Sequence, residues 1–124
     1  MPVAVAFVTD LVCVVVFVVL GRRNHDEGTA AAGVARTAAP FAIALLVGWG
    51  AARRARRPPS SLSFGLEVWA GTVVIGMLLR RFAFDRGTAA PFVIVAIVFL
   101  GTTLLGWRLV AWRVAPWGRR GTAD

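Results

Sequence analysis

The chain has 124 residues, 58% of them hydrophobic and 16% charged, with a net charge of +8 and a mean hydropathy of +0.74. Too few polar side chains remain to cover a small water-soluble domain, which excludes an ordinary cytosolic enzyme and a disordered tail. All 14 basic residues are arginine, clustered between long apolar runs. That is a membrane pattern, with positive joints at phosphate headgroups, and no nucleic-acid partner is expected.

A membrane-spanning helix needs about 20 mostly apolar residues. Four runs qualify. The first covers 3–20 and is interrupted only by Thr9 and Asp10. It has no basic start and no small-residue cleavage site before Arg22 and Arg23, so a retained helix is expected rather than a signal peptide. A polar joint from Gly21 to Gly28 follows. The second run covers 31–52, and its joint to the next contains Pro58-Pro59-Ser60-Ser61. The third covers 62–82 and the fourth 89–112, leaving a polar tail at 113–124. Short joints make consecutive helices antiparallel. The expected fold is all-α: a single integral membrane domain, a four-helix up-down-up-down bundle.

The chain also shows internal similarity. Arg22-Arg23 and Arg80-Arg81 are each followed by an aspartate and then Gly-Thr-Ala-Ala. Thr37-Ala38-Ala39-Pro40-Phe41 recurs as Thr88-Ala89-Ala90-Pro91-Phe92. Two related helical hairpins in a parallel repeat are expected. The repeat also matches two acids. Asp10 lies 12 residues before Arg22, and Glu67 lies 13 before Arg80.

The N-terminus, the second joint and the C-terminus share one face of the bundle, called face A. The first and third joints share face B. Face A carries 8 arginines and face B carries 6. Arginine excess marks the cytoplasmic side. The expected location is therefore the plasma membrane, with both termini cytoplasmic, and insertion in both orientations is the alternative. Trp49, Trp69, Trp107, Trp112 and Trp117 all fall in the half near face A. They read as an aromatic belt at the headgroups, or alternatively as a surface for a flat or cationic ligand.

Asp10 is the residue of greatest interest. A carboxylate among lipid tails must be paired, protonated or wetted. It reads as a proton relay or cation site, or as a paired acid that fixes helix packing. Glu67, nearer face A, reads as a second intramembrane polar site or as an ion pair with Arg108 or an arginine of the second joint. Arg36 lies inside the second run. It reads as a snorkelling side chain, an anion contact or a partner for Asp10. Arg22, Arg23, Arg80, Arg81 and Arg108 are expected to touch lipid phosphates or other anions. His25 with Asp26 and Glu27 reads as a solvated joint, or more sharply as a pH sensor or a weak surface metal site. Pro40 and Pro91 are candidate kinks. The small-residue spacings Ala44/Gly48, Gly71 and Thr72 with Gly76, and Thr102/Gly106 allow close helix approach. Cys13 reads as a small core residue. No nucleophile set, nucleotide loop, or zinc or haem spacing occurs, so no catalysis, metal or cofactor is expected.

Taken together, Asp10, Gly21-Arg22-Arg23 with His25, Arg36-Thr37-Ala38-Ala39-Pro40-Phe41 and Gly48-Trp49 resemble a known family, as do Gly65-Leu66-Glu67-Val68-Trp69, Gly76-Met77-Leu78-Leu79-Arg80 and Gly106-Trp107-Arg108. This is a bacterial and archaeal group of short four-helix integral membrane proteins, defined as a domain of unknown function. The resemblance covers nearly the whole chain. It implies membrane location and four helices, and it implies no activity. From the residues, the first functional expectation is a small oligomeric transporter or channel with Asp10 as its intramembrane acid and arginine-rimmed mouths, its path running between copies or through a small arginine-rimmed cavity that contains Asp10. The alternative is a non-catalytic accessory or assembly subunit of a larger membrane complex. Expected partners are anionic lipid headgroups and either further copies of the chain or another membrane protein.

Overall fold

The computed structural model describes residues 2–24, 31–83 and 90–114. Four helices fill nearly all of them: α1 (Val3–Asn24), α2 (Ala31–Arg54), α3 (Leu62–Phe82) and α4 (Ala90–Val114). No strand occurs among the described residues. Each helix is long and apolar enough to cross a membrane. Lipid selects helices because each one satisfies its backbone groups within its own segment.

Three helices run past the apolar segments that specify them. α1 continues through Gly21-Arg22-Arg23 to Asn24, α2 through Arg53-Arg54, and α4 to Val114. Arginine in a last turn faces the negative end of the helix dipole, and its long stem reaches headgroup level, so it extends the helix. Between α2 and α3, Arg56 takes a left-handed φ of 58° and turns the chain into Pro58-Pro59. Ser61 then caps α3, its hydroxyl accepting from the Phe64 N–H at 3.2 Å.

The helices form a ring in which each packs on its chain neighbours and α4 closes onto α1. Side-chain pairings show the antiparallel order. Asp10, early in α1, meets Trp49, late in α2. Arg22, late in α1, meets Thr37, early in α2. At the α2–α3 contact two glycines face each other, and a Cβ on Gly71 would stand 3.3 Å from the Gly48 Cα.

Aromatic rings fill the interior. Phe17 packs on Phe41, Phe92 and Phe99 toward face B, with centroids 5.6–5.8 Å apart. Toward face A, the Trp49 ring takes Phe7 and Phe64 edge-on at 5.3 and 4.8 Å. Gly76 accommodates the buried Phe41 ring, because a Cβ there would lie 2.6 Å from Phe41 Cδ1. Pro40 is buried inside α2, whereas Pro91 occupies the first turn of α4, where no helical hydrogen bond is lost.

The two hairpins are not interchangeable in their contacts. Their matched acids differ, since Asp10 is fully buried while the Glu67 side chain is 38% exposed. Residues 26–29 and 85–88, which carry much of the sequence match, lie outside the described residues.

Candidate functional site

Asp10 stands two turns into α1 and is wholly buried. Three side chains donate four hydrogen bonds to it. Trp107 Nε1 reaches Oδ1 at 2.7 Å, and Trp49 Nε1 reaches Oδ2 at 2.8 Å. The Arg108 guanidinium adds a fork, with Nη1 on Oδ1 at 2.9 Å and Nη2 on Oδ2 at 2.6 Å. Each carboxylate oxygen thus receives one indole and one guanidinium bond. A carboxylate offers about four acceptor positions, so these donors saturate it.

Arg108 is equally enclosed. Nε donates to the Pro59 carbonyl and Nη1 to the Leu104 carbonyl, both at 2.9 Å. The Trp107 ring lies 4.5 Å from the guanidinium carbon, and the Phe64 ring 5.7 Å. Gly65 makes the passage for this side chain, because a Cβ there would stand 2.6 Å from Arg108 Cδ. The ion pair therefore joins α1 (Asp10), α2 (Trp49), α4 (Trp107 and Arg108) and the α2–α3 connection (Pro59), with Phe64 and Gly65 of α3 packed against it.

Chemically, this arrangement holds helices together and leaves the acid no free acceptor. A proton or cation reaching Asp10 would have to displace an indole or the bidentate arginine. A buried pair of this geometry is costly to break from one side, because the remaining charge is left without a partner.

A model of one protein family, described as a protein of unknown function (DUF3054), matches residues 7–111. The chain belongs to this family. Every residue of the Asp10–Arg108 constellation falls inside the match. No curated protein and no solved structure matches the chain.

In this DUF3054 protein the other candidate residues are dispersed. Glu67 pairs with Arg57 of the second joint, not with Arg108. Arg36 is exposed on α2, and Asp10 takes its partners from Trp49, Trp107 and Arg108 instead. A contact between lipid phosphate and Arg108 is ruled out, because the residue is 1% exposed and its guanidinium is engaged by Asp10 and two carbonyls. Arg23 and Arg81 are exposed at face B. Arg22 and Arg80 are half-buried around a cavity of about 30 Å³ that they share with Phe17, Thr37 and Phe92. An arginine-rimmed cavity therefore exists, but it does not contain Asp10. The two lie about 18 Å apart along α1.

The tryptophans also depart from the belt reading. Trp49 and Trp107 are donors to the acid, and Trp69 donates to the Ile97 carbonyl at 3.0 Å, leaving Trp112 exposed. An aromatic-belt reading does not anticipate their role as bonding partners. The available signal was depth, since Trp49, Trp107 and Asp10 all lie in the half near face A. His25, Asp26, Glu27 and Trp117 lie outside the described residues.

Proposed function

We propose that this protein is a non-catalytic accessory or assembly subunit of a larger membrane complex. The supporting observation is the saturation of Asp10 by four internal donors at zero exposure. An intramembrane acid used for transport needs access to water and a free acceptor. This one is used to hold α1, α2 and α4 in register. In this reading the bundle acts by contact. Ala44, Gly48, Thr72 and Gly76 are buried within the bundle, so two of the small-residue spacings serve its own packing. Thr102 is exposed on α4, and a Cβ at Gly106 would meet nothing within 4 Å. That third spacing is the surface this reading assigns to a partner helix. Plasma-membrane location with both termini in the cytoplasm belongs to the same proposal, supported by the arginine count of 8 against 6.

The small transporter or channel is the second reading, favoured by the arginine-rimmed cavity near face B. It requires a path between copies of the chain that bypasses the sealed acid.

One pair of experiments separates the two. Purified protein in liposomes carrying a pH-sensitive dye is expected to leak protons no faster than empty liposomes. Extraction into polymer-bounded lipid particles is expected to co-isolate a second membrane protein in fixed stoichiometry. Proton flux that depends on Asp10, or recovery of this chain alone, would overturn the accessory reading.

A further inference from the structure

α1 and α3 occupy opposite corners of the ring and do not pack on each other. Yet Arg22 near the end of α1 and Arg80 near the end of α3 line one cavity. Its volume, about 30 Å³, admits about two water-sized groups. Its walls are two guanidinium-bearing side chains, the buried Thr37 and the rings of Phe17 and Phe92. Both arginines are held in place by the fold. Arg22 Nη1 donates to Thr37 Oγ1 at 2.8 Å. The Arg80 guanidinium lies 4.0 Å over the Phe92 ring. Gly33 clears the way for Arg22, because a Cβ there would stand 2.5 Å from Arg22 Nη2. The N-termini of α2 and α4 open at the same end of the bundle, and their positive dipole ends favour an anion there.

We propose that Arg22, Thr37 and Arg80 form a phosphate-binding site at face B. Two non-bridging phosphate oxygens match the cavity in size. Paired guanidinium groups are suited to a phosphate because each presents a planar fork of donors. A lipid headgroup and free inorganic phosphate share this chemistry. The position at the headgroup level of a membrane-spanning bundle makes either accessible, and the test separates them. The site is independent of the role assigned to Asp10, which belongs to the other end.

The test compares two pairs of substitutions with equal charge change at equal depth. Native mass spectrometry from nanodiscs of mixed phosphatidylglycerol and phosphatidylcholine reads the retained lipid. Isothermal titration with inorganic phosphate, in phosphatidylcholine alone, reads the free anion. Arg22→Gln with Arg80→Gln is expected to lower binding about tenfold or more, the loss of one charge-assisted bond at least. Arg23→Gln with Arg81→Gln, on the exposed side chains, is expected to leave it within about twofold. Gly33→Ala keeps every charge but displaces Arg22, and is expected to weaken binding without the risk of removing two half-buried arginines. Loss in the phosphatidylglycerol arm alone identifies a lipid site, and loss in the inorganic phosphate arm identifies a free-anion site. Equal loss from both arginine pairs would mean diffuse surface charge and would overturn the proposal. So would the absence of phosphate binding by the unsubstituted protein in both arms.

Discussion

Asp10→Asn is expected to destabilise the bundle by about 3–5 kcal/mol, the range for removing one partner of a buried ion pair. The side chain keeps its size, so the loss is electrostatic and hydrogen-bonded in origin. Each carboxylate oxygen accepts from one indole and one guanidinium nitrogen. Whichever way the amide is turned, its NH₂ faces two donors. Arg108 is then left buried with a charge that only the Pro59 and Leu104 carbonyls offset. Denaturant titration in mixed micelles measures the loss. The result also separates the two roles of the acid. A proton relay would lose flux and keep its stability, whereas a structural acid loses stability.

Gly65→Ala carries the second large effect, an expected loss of about 1–3 kcal/mol from overpacking. The new Cβ would stand 2.6 Å from Arg108 Cδ, 3.1 Å from its Nε and 3.1 Å from Leu105 Cδ2. Arg108 cannot yield easily, because its guanidinium is pinned by Asp10 and two carbonyls. The penalty is therefore tied to the ion pair. With Asp10 and Arg108 both replaced by leucine, the same alanine is expected to cost under about 1 kcal/mol, a non-additivity that contacting residues show. An equal cost in both backgrounds would mean that Gly65 serves helix packing alone.

The four spans are legible in the sequence because lipid exposure is a property of each segment by itself. The antiparallel order follows from the short joints. The partner of Asp10 is a tertiary fact, though part of it lies within reach of simple counting. Asp10 is seven residues from the face-A end of α1, about 10 Å, and Arg108 is six from the face-A end of α4, about 9 Å. Arg36 is eighteen residues from the face-A end of α2, about 27 Å, too deep toward face B to meet the acid. Depth alone thus favours Arg108 over Arg36. The choice of Arg108 also needs the rotation of α4 about its axis. That helix is apolar around most of its circumference, so no polar face marks its inward side. The indole donors are hidden for a related reason. Tryptophan near a membrane boundary has a ready explanation at the headgroups, and only burial shows that Trp49 and Trp107 turn inward.

Matching spacing places Asp10 and Glu67 at similar distances from their arginine pairs. Their environments are set by what the other helices present, and only Asp10 meets two indoles and an arginine. Glu67 meets Arg57 at the edge of the bundle.

If Asp10 and Arg108 form one sealed structural unit, replacing one changes what replacing the other costs. A double-mutant cycle tests this most directly, using Asp10→Leu, Arg108→Leu and the double substitution in mixed micelles. The expected coupling is on the order of 1–3 kcal/mol, with the double variant more stable than the sum of the single losses allows. Additive losses would contradict such a unit, because two residues that do not act through each other have no coupling to lose.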